Sequence, residues 1–554
     1  MNNNEIINKL SETQRKICMH DKGFALVLAG PGSGKTTVTV TRICMLTTKY
    51  ERPERILCQT FTVAAANEMR SRYMQYIGDT ILNNKISKTP HFSTIHSFCL
   101  GLLHKYAISH STKYAVIDGM QVREIIKDIY IQINNKTPDD STIDSLVSAI
   151  SAARTRKGAI TTQVKNFHKI VEQYQTTKKA NSMIDYDDMI FLTLDILNKD
   201  KTFRESIQNR YDYILLDEAQ DMTKTQFDII RHIAPDRNIF VVADDDQSIY
   251  GFRGADPTEL MQFVESYGNV NKYYLEQNYR SQASIVDLSV KIIGNNKRRY
   301  KKNLYTDKKA TCKVDILHFP DNIMQAMYVC KMCNKHQGTT AVLYRNNASG
   351  LLLRAAMRTE GINYKIAEGT IRTQEIPLVN KYVDTVRKMQ QEARLIIPSP
   401  ERIFTRMVRD GLEQYADEYC EITGQMKHYK NQVLSFLKYI SSTCSSYGQL
   451  IKLLDMIDND SQSHDTATVV LSTIHSSKGL EYDNVFIIDL IYDEFPGQNV
   501  VTEDRLEEER RLFYVAITRA KDKLTLCYPE KCFTTKEVPS IFVEESRRAL
   551  RTCN

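Results

Sequence analysis

Short, wholly apolar runs recur along the chain, each followed at once by small or acidic residues. They are Phe24–Gly30 (FALVLAG), Arg55–Thr62 (RILCQTFT), Tyr213–Gln220 (YILLDEAQ), Ile239–Gln247 (IFVVADDDQ), Thr340–Asn346 (TAVLYRN) and Asn484–Leu490 (NVFIIDL). A run without polar alternation reads as a strand buried on both faces, as in parallel sheets covered by helices. The runs form two sets, before and after about residue 280. Two α/β sheets are therefore predicted, with functional groups at the C-terminal ends of their strands, where open α/β sheets bind ligands. Between the runs lie two stretches of helical periodicity, 97–205 and 385–463, the second broken at Pro398 and Pro400. Both are predicted as strandless helical insertions, and neither shows an internal repeat. The longest apolar runs, Phe24–Ala29 and Val485–Ile488, are far too short to span a membrane.

Composition narrows the class. With 554 residues, 42% of them hydrophobic and 25% charged, the chain is too apolar to be disordered and long enough for several cores. Lys and Arg number 74 against 67 Asp and Glu, a net +7 that suits a polyanion partner without approaching a histone-like coat. The 12 cysteines are scattered, without the spacing of a secreted disulfide scaffold, and the polar N-terminus lacks a signal-peptide core. A soluble, intracellular, cytoplasmic protein with reduced thiols is expected. There are 30 Tyr and 19 Phe but no Trp, so any stacking on bases falls to Tyr, Phe, His or Arg.

Two segments carry phosphate chemistry. Ala29, Gly30, Pro31, Gly32, Ser33, Gly34, Lys35 and Thr36 follow a predicted strand and open a helix that continues through Thr37. Glycines turn backbone N–H groups inward around phosphates, Lys35 reaches the β/γ-phosphates of ATP, and Thr36 can hold Mg²⁺. Ala29 stands where the strict pattern has Gly. Asp217 and Glu218 end the run Tyr213–Leu216, and acids directly after a buried strand are costly unless a cation or proton transfer uses them. Asp217 would sit on Mg²⁺, and Glu218 would orient or deprotonate the attacking water.

With these residues the chain resembles a UvrD/Rep-type superfamily 1 DNA helicase, over about residues 8–528. Leu10–Gln14 resembles the Q-motif, Thr60–Met69 motif Ia, Phe92–Phe98 the DNA-contacting motif after it, and Ile184–Met189 the exit from the first insertion. Asp217–Asp221 matches motif II, Ala243–Ala255 motif III, Leu275–Ser281 motif IV, Leu471–Glu481 motif V and Glu507–Ala520 motif VI. The resemblance implies two RecA-like P-loop domains with the ATP site between them. Domain 1A would be 1–96 and 206–281, insertion 1B 97–205, domain 2A 282–384 and 464–554, and a reduced 2B 385–463. It implies that Gln14 reads the adenine edge, Tyr279 stacks on adenine, Glu481 lies near the ribose and Gln247 senses the γ-phosphate. Arg280 and Arg519 would be arginine fingers from opposite sides of the cleft.

The same resemblance implies 3′→5′ movement on single-stranded DNA and unwinding of duplex, in repair, recombination or replication. Single strands and single/double-strand junctions would be the partners, with a repair or replication protein as a further candidate and no membrane, and the protein a monomer or weakly self-associating. Track candidates inside the motifs are Phe61, His96, Tyr250, Phe252, Arg253, Tyr344, Arg345 and His475, since single strands are bound by basic grooves with aromatic platforms. Phe252 stands where the family usually has Trp, and Val63-Ala64 replaces the common Asn-Lys of motif Ia. The family's second insertion is commonly much longer, so a translocase that strips proteins from single strands is one rival. A non-hydrolysing binding subunit is another, opposed by the intact Lys35, Asp217, Glu218, Gln247, Arg280 and Arg519; a helicase–nuclease is a third, and no nuclease domain is expected in the tail after motif VI. The basic run Asn295–Lys302 is expected to be a solvated face, or else a backbone contact or hinge-adjacent element. Cys330, Cys333 and His336 lack a second compact ligand pair, and Ile323, Met327, Cys330 and Cys333 share helical spacing, so core thiols are expected instead of zinc.

Overall fold

The structure, a computed structural model, describes residues 7–82, 88–138, 140–155, 164–235, 238–366, 372–393, 398–423, 427–459, 467–498, 500 and 502–551. The chain divides into two compact units. One runs to Gln277 and includes Arg298–Asn303; the other comprises Asn278–Lys297 and everything from Leu304 onward.

In the first unit the strands are β1 (Phe24–Ala29), β2 (Ile56–Thr60), β3 (His91–Thr94), β4 (Ala115–Val116), β5 (Met183–Ile184), β6 (Tyr213–Leu216), β7 (Asn238–Ala243) and β8 (Val270–Leu275). Six of them make a parallel sheet in the order β3-β2-β6-β7-β1-β8. The period-2 alternation of strand side chains divides β1 between two cores. Phe24, Leu26 and Leu28 face the helices Ile95–His110, Tyr186–Lys199 and Lys224–Ile233, whereas Ala25, Val27 and Ala29 face the helices Lys35–Tyr50 and Val63–Leu82. A strand buried this way must be apolar at every position, which is why the sequence run is unbroken.

The stretch 97–205 is not strandless, because β4 and β5 pair in parallel within it. Nor is it one insertion. Its outer helices, Ile95–His110, Tyr186–Lys199 and Lys201–Gln208, belong to the core of the large sheet. Among the described residues, the helices Gly119–Asn134, Asp140–Thr155 and Phe167–Ala180 close on a core of their own, built from Ile126, Ile129, Leu146, Ile170 and Tyr174.

The second unit holds β9 (Asp315–Phe319), β10 (Thr340–Tyr344), β11 (Tyr364–Ile366), β12 (Val469–Thr473), β13 (Tyr482–Ile487) and β14 (Ala520–Pro529), with a small antiparallel pair β15 (Lys531–Cys532) and β16 (Thr535–Lys536). The large sheet is again parallel, in the order β11-β12-β10-β13-β14-β9. The helices of 385–463 share one continuous core with it: Val386, Phe404, Leu434, Leu437, Leu450 and Leu454 pack with Val342, Leu471 and Phe486. Among the described residues this stretch is an added layer that shares the sheet's core. Cys330 and Cys333 lie in the same core, as expected of structural thiols, but Met327 is exposed and the buried stripe runs Gln325, Ala326, Val329, Cys330, Cys333. Every described cysteine is a free thiol, and Cys553 lies outside the described residues. No helix among the described residues is long and apolar enough to cross a membrane.

Candidate functional site

The register of the first sheet sets the site. Leu28 lies level with Ala243, and Leu216 is bracketed by Gln59 and Val241, so the loops leaving β1, β6 and β7 emerge side by side. After β1 the chain turns through Gly32 (φ 66°) and Gly34 (φ 83°), left-handed conformations that suit glycine. A side chain at Gly34 would meet the Gln14 amide nitrogen at 2.8 Å. The helix Lys35–Tyr50 starts with no side-chain cap on its N–H groups, the arrangement that receives an anion. Ser33 Oγ donates to Gly30 O (2.7 Å), and Gly30 N donates to Leu275 O (2.9 Å), so the loop is braced against the sheet.

Gln14 is part of that brace. Its Oε1 accepts from Ser11 N (3.1 Å), closing a capping box, and its Nε2 donates to Ser33 O (3.0 Å). One N–H of its amide nitrogen remains beyond these two bonds. Thr36 and Thr37 are half-buried on the first turn of the helix.

Lys35 Nζ lies 3.4 Å from Glu218 Oε1. Burial pulls the Lys35 pKa down, but the carboxylates of Glu218, Asp244 and Asp217 outweigh it and the net shift is upward, so the ammonium stays charged. Asp217 is almost fully buried and its Oδ1 has no hydrogen-bond partner. Burial first, then the neighbouring Glu218 charge, lifts its carboxyl from the ordinary 3.8 to about 7, against the pull of Lys35. An orphaned buried carboxylate oxygen in the electrostatic reach of Lys35, just after a strand of the sheet that also carries the glycine loop, fits a divalent cation. Glu218 takes the left-handed conformation (φ 52°), a strained geometry for a side-chain-bearing residue of the kind found at functional sites.

Sequence reasoning passed over Gln220. It is fully buried, its Nε2 donates to Glu218, and its Oε1 accepts from Asp244 N (2.9 Å), joining the β6 loop to the β7 loop. Gln247 Nε2 in turn donates to Asp244 Oδ2 (2.6 Å). An interior glutamine two residues after Glu218 was the available signal.

The aromatic candidates of the first unit form a group. The Phe61 and Tyr250 rings stack at 4.9 Å with an 18° interplanar angle, and the Arg253 guanidinium sits 5.4 Å from the Tyr250 centroid. His96 meets Tyr186 edge-on at 6.3 Å, and burial lowers its pKa. The side chain of Phe252 lies outside the described residues.

In the second unit Arg280 donates to Glu481 Oε2 (2.6 Å) and to Thr518 O (3.2 Å). Arg519, 2% exposed, donates to Val515 O, Leu480 O and Thr518 Oγ1 at 3.0, 3.0 and 3.1 Å. Both arginines thus belong to one unit, which corrects the expectation that opposite sides supply them. The cause is local: Asn278 N bonds Tyr305 O and Ser281 Oγ bonds Ala520 O, fastening motif IV there. Tyr279 is exposed, Glu481 also pairs with Lys521 (3.1 Å), and His475 is half-buried after β12.

Two track candidates are corrected. Tyr344 shares the face of Val342 on β10 and is buried in the sheet core, its hydroxyl packed against Gly350. Arg345 forms a two-pronged ion pair with Glu509, Nη2 at 2.8 Å and Nε at 3.1 Å from its oxygens. Tyr344 is core, and Arg345 is a partly exposed strut on Glu509.

A Gly-rich loop on a helix N-terminus, with a lysine and paired acids at the ends of parallel strands, defines a P-loop nucleotide-hydrolysing protein built from two RecA-like sheets. The comparisons carry this to a family. Residues 10–268 match the UvrD/REP helicase N-terminal domain, and residues 273–531 match the UvrD-like helicase C-terminal domain in two overlapping segments. The chain belongs to the UvrD/Rep-like helicase family, whose members are ATP-hydrolysing DNA helicases. It is similar to the ATP-dependent DNA helicase PcrA of Staphylococcus aureus strain Mu50, with 27% identity across 99% of this chain and 87% of the relative. PcrA of Staphylococcus epidermidis strain ATCC 12228 is also 27% identical, across 94% of this chain and 83% of the relative.

Proposed function

We propose that the protein is a single-stranded-DNA motor that couples Mg-ATP hydrolysis to 3′→5′ movement and so separates duplex at single/double-strand junctions, in repair, recombination or replication. The observation that carries the reading is the Lys35–Glu218 pair under the glycine loop, beside the orphaned Asp217, in the same unit as the Phe61–Tyr250–Arg253 group. Lys35 and the loop N–H groups bind the β/γ-phosphates. Thr36 and Asp217 would hold Mg²⁺, which neutralises phosphate charge. Glu218 orients the attacking water or takes its proton, and Gln247 senses the γ-phosphate through the Asp244 bond that fixes its amide. Gln14 braces the loop and keeps an N–H for an adenine edge; Tyr279 stacks on the base and Glu481 sits by the ribose. Arg280 and Arg519 supply positive charge to the transferring phosphoryl, a contribution of about 10³–10⁵ in rate for an arginine finger. Phe61, His96, Tyr250, Phe252, Arg253 and His475 make the track.

A stripping translocase with weak unwinding is the second reading, supported by the described helices of 385–463 sharing the core of the large sheet. ATPase assays with and without single-stranded DNA test the motor. Turnover should rise on adding DNA and vanish in Lys35→Ala, and a DNA-independent rate retained in Lys35→Ala refutes the assignment.

A further inference from the structure

Three consecutive acids, Asp244, Asp245 and Asp246, are fully buried with their carboxylates within 4.8 Å of one another, a spacing that would suit a metal ion. The cation lodged among them is a lysine. Lys302 Nζ lies 2.6, 2.8 and 2.9 Å from Asp244 Oδ1, Asp245 Oδ1 and Asp246 Oδ2, and all four side chains have no exposed surface. An ammonium has three donors, and here each meets a different carboxylate. Arg299 adds a two-pronged pair to Asp246 (2.7 and 2.7 Å), and Tyr300 N donates to Asp245 Oδ2 (2.7 Å). The basic run therefore is not only a solvated face: Lys297 is exposed on Glu503, whereas Arg299 and Lys302 point inward.

Two facts give this cluster a role. Asp244 is held from both sides, its Oδ1 by Lys302 and its Oδ2 by Gln247 Nε2 at 2.6 Å. The hexapeptide Arg298–Asn303 belongs to the first unit, while the chain on either side, Asn278–Lys297 and Leu304 onward, belongs to the second. The strap that carries Lys302 is thus joined through the chain at both ends to segments of the second unit.

We propose that Lys302 is a positioning residue for ATP hydrolysis, acting through Asp244 on the Gln247 amide, and that the strap Arg298–Asn303 ties this amide to the chain segments of the second unit. The relay rests on the reading of Gln247 as γ-phosphate sensor. A carboxylate with one oxygen pinned by a buried ammonium cannot rotate, so its other oxygen holds the glutamine amide in one orientation. Moving the strap releases that orientation.

Lys302→Met alone leaves three buried acids against one cation and risks misfolding. The test therefore uses Lys302→Met/Asp245→Asn, in which three acids against two cations become two against one and the excess charge is unchanged. Asp244→Asn, which lowers the buried charge, is the second variant. DNA-stimulated ATPase is measured for each, alone and combined with Gln247→Ala, on protein whose melting temperature is near that of the parent. Each variant should lower kcat at least about tenfold with KM for ATP within about threefold, and adding Gln247→Ala should cost nothing more. A wild-type kcat in either variant, or losses that multiply when Gln247→Ala is added, overturns the relay. A wild-type protein without DNA-stimulated ATPase overturns the functional reading itself, and the relay with it.

Discussion

Asp217→Asn should stabilise the nucleotide-free protein at neutral pH while abolishing hydrolysis. Burial and the Glu218 charge lift the Asp217 carboxyl from 3.8 to about 7. Between those values the folded chain holds more proton on this group than the unfolded chain does, so stability falls as pH rises through the window. At about 1.4 kcal/mol per tenfold change in proton affinity, the ionised carboxylate costs up to about 4 kcal/mol above pH 7. Asparagine removes that cost, but it leaves a buried polar group without a partner, which returns about 1–3 kcal/mol. The net gain is therefore about 1–3 kcal/mol. Thermal melts from pH 5 to 8 should show Asp217→Asn melting above wild type at pH 8, with the difference closing toward pH 5. A variant melting at or below wild type at pH 8, with the same pH slope, would refute the reasoning.

Arg345→Ala should break a partly buried ion pair and take from Glu509 its two-pronged partner, costing about 1–3 kcal/mol by denaturant melts while leaving single-strand affinity unchanged; a fall in DNA affinity without a fall in stability returns Arg345 to the track. Arg519→Ala should abolish DNA-stimulated ATPase while sparing single-strand binding by fluorescence anisotropy, and retained turnover counts against the finger role. Phe252→Ala should uncouple hydrolysis from movement and Phe252→Trp should be tolerated; normal strand displacement by Phe252→Ala would remove this residue from the track.

The elements legible in the sequence were those whose local chemistry has one meaning. β1, β2, β6, β7, β10 and β13 are buried on both faces, so their apolar runs stand out. β8 is one of the sheet's two edge strands and carries Asn271, Lys272 and Tyr274 outward, so its pattern is diluted. β14 opens with Lys521, Asp522 and Lys523 before its apolar half, and hides in the same way. The helices of 385–463 were recognisable as helices, but whether an amphipathic face closes on its own core or on a sheet is decided by partners distant in sequence.

The same limit applies to the site. Lys35, Asp217 and Glu218 stand out in the sequence because of their place beyond a strand, and the structure brings Lys35 to 3.4 Å from Glu218. Tyr344 ends a strand and Arg345 follows it, yet one packs beneath Gly350 and the other meets Glu509 across 164 residues. The Lys302 cluster was out of reach for the same reason: a basic run and an acidic run 57 residues apart each look solvated until the fold joins them.

The central claim is a motor that moves 3′→5′ on single-stranded DNA. Unwinding of a fluorescent duplex bearing either a 3′ or a 5′ single-stranded tail, with ATP and Mg²⁺, tests it most directly. The account predicts strand separation on the 3′-tailed substrate, none on the 5′-tailed one, and none on either with Lys35→Ala. Separation of the 5′-tailed duplex alone, or separation that persists in Lys35→Ala, would contradict it.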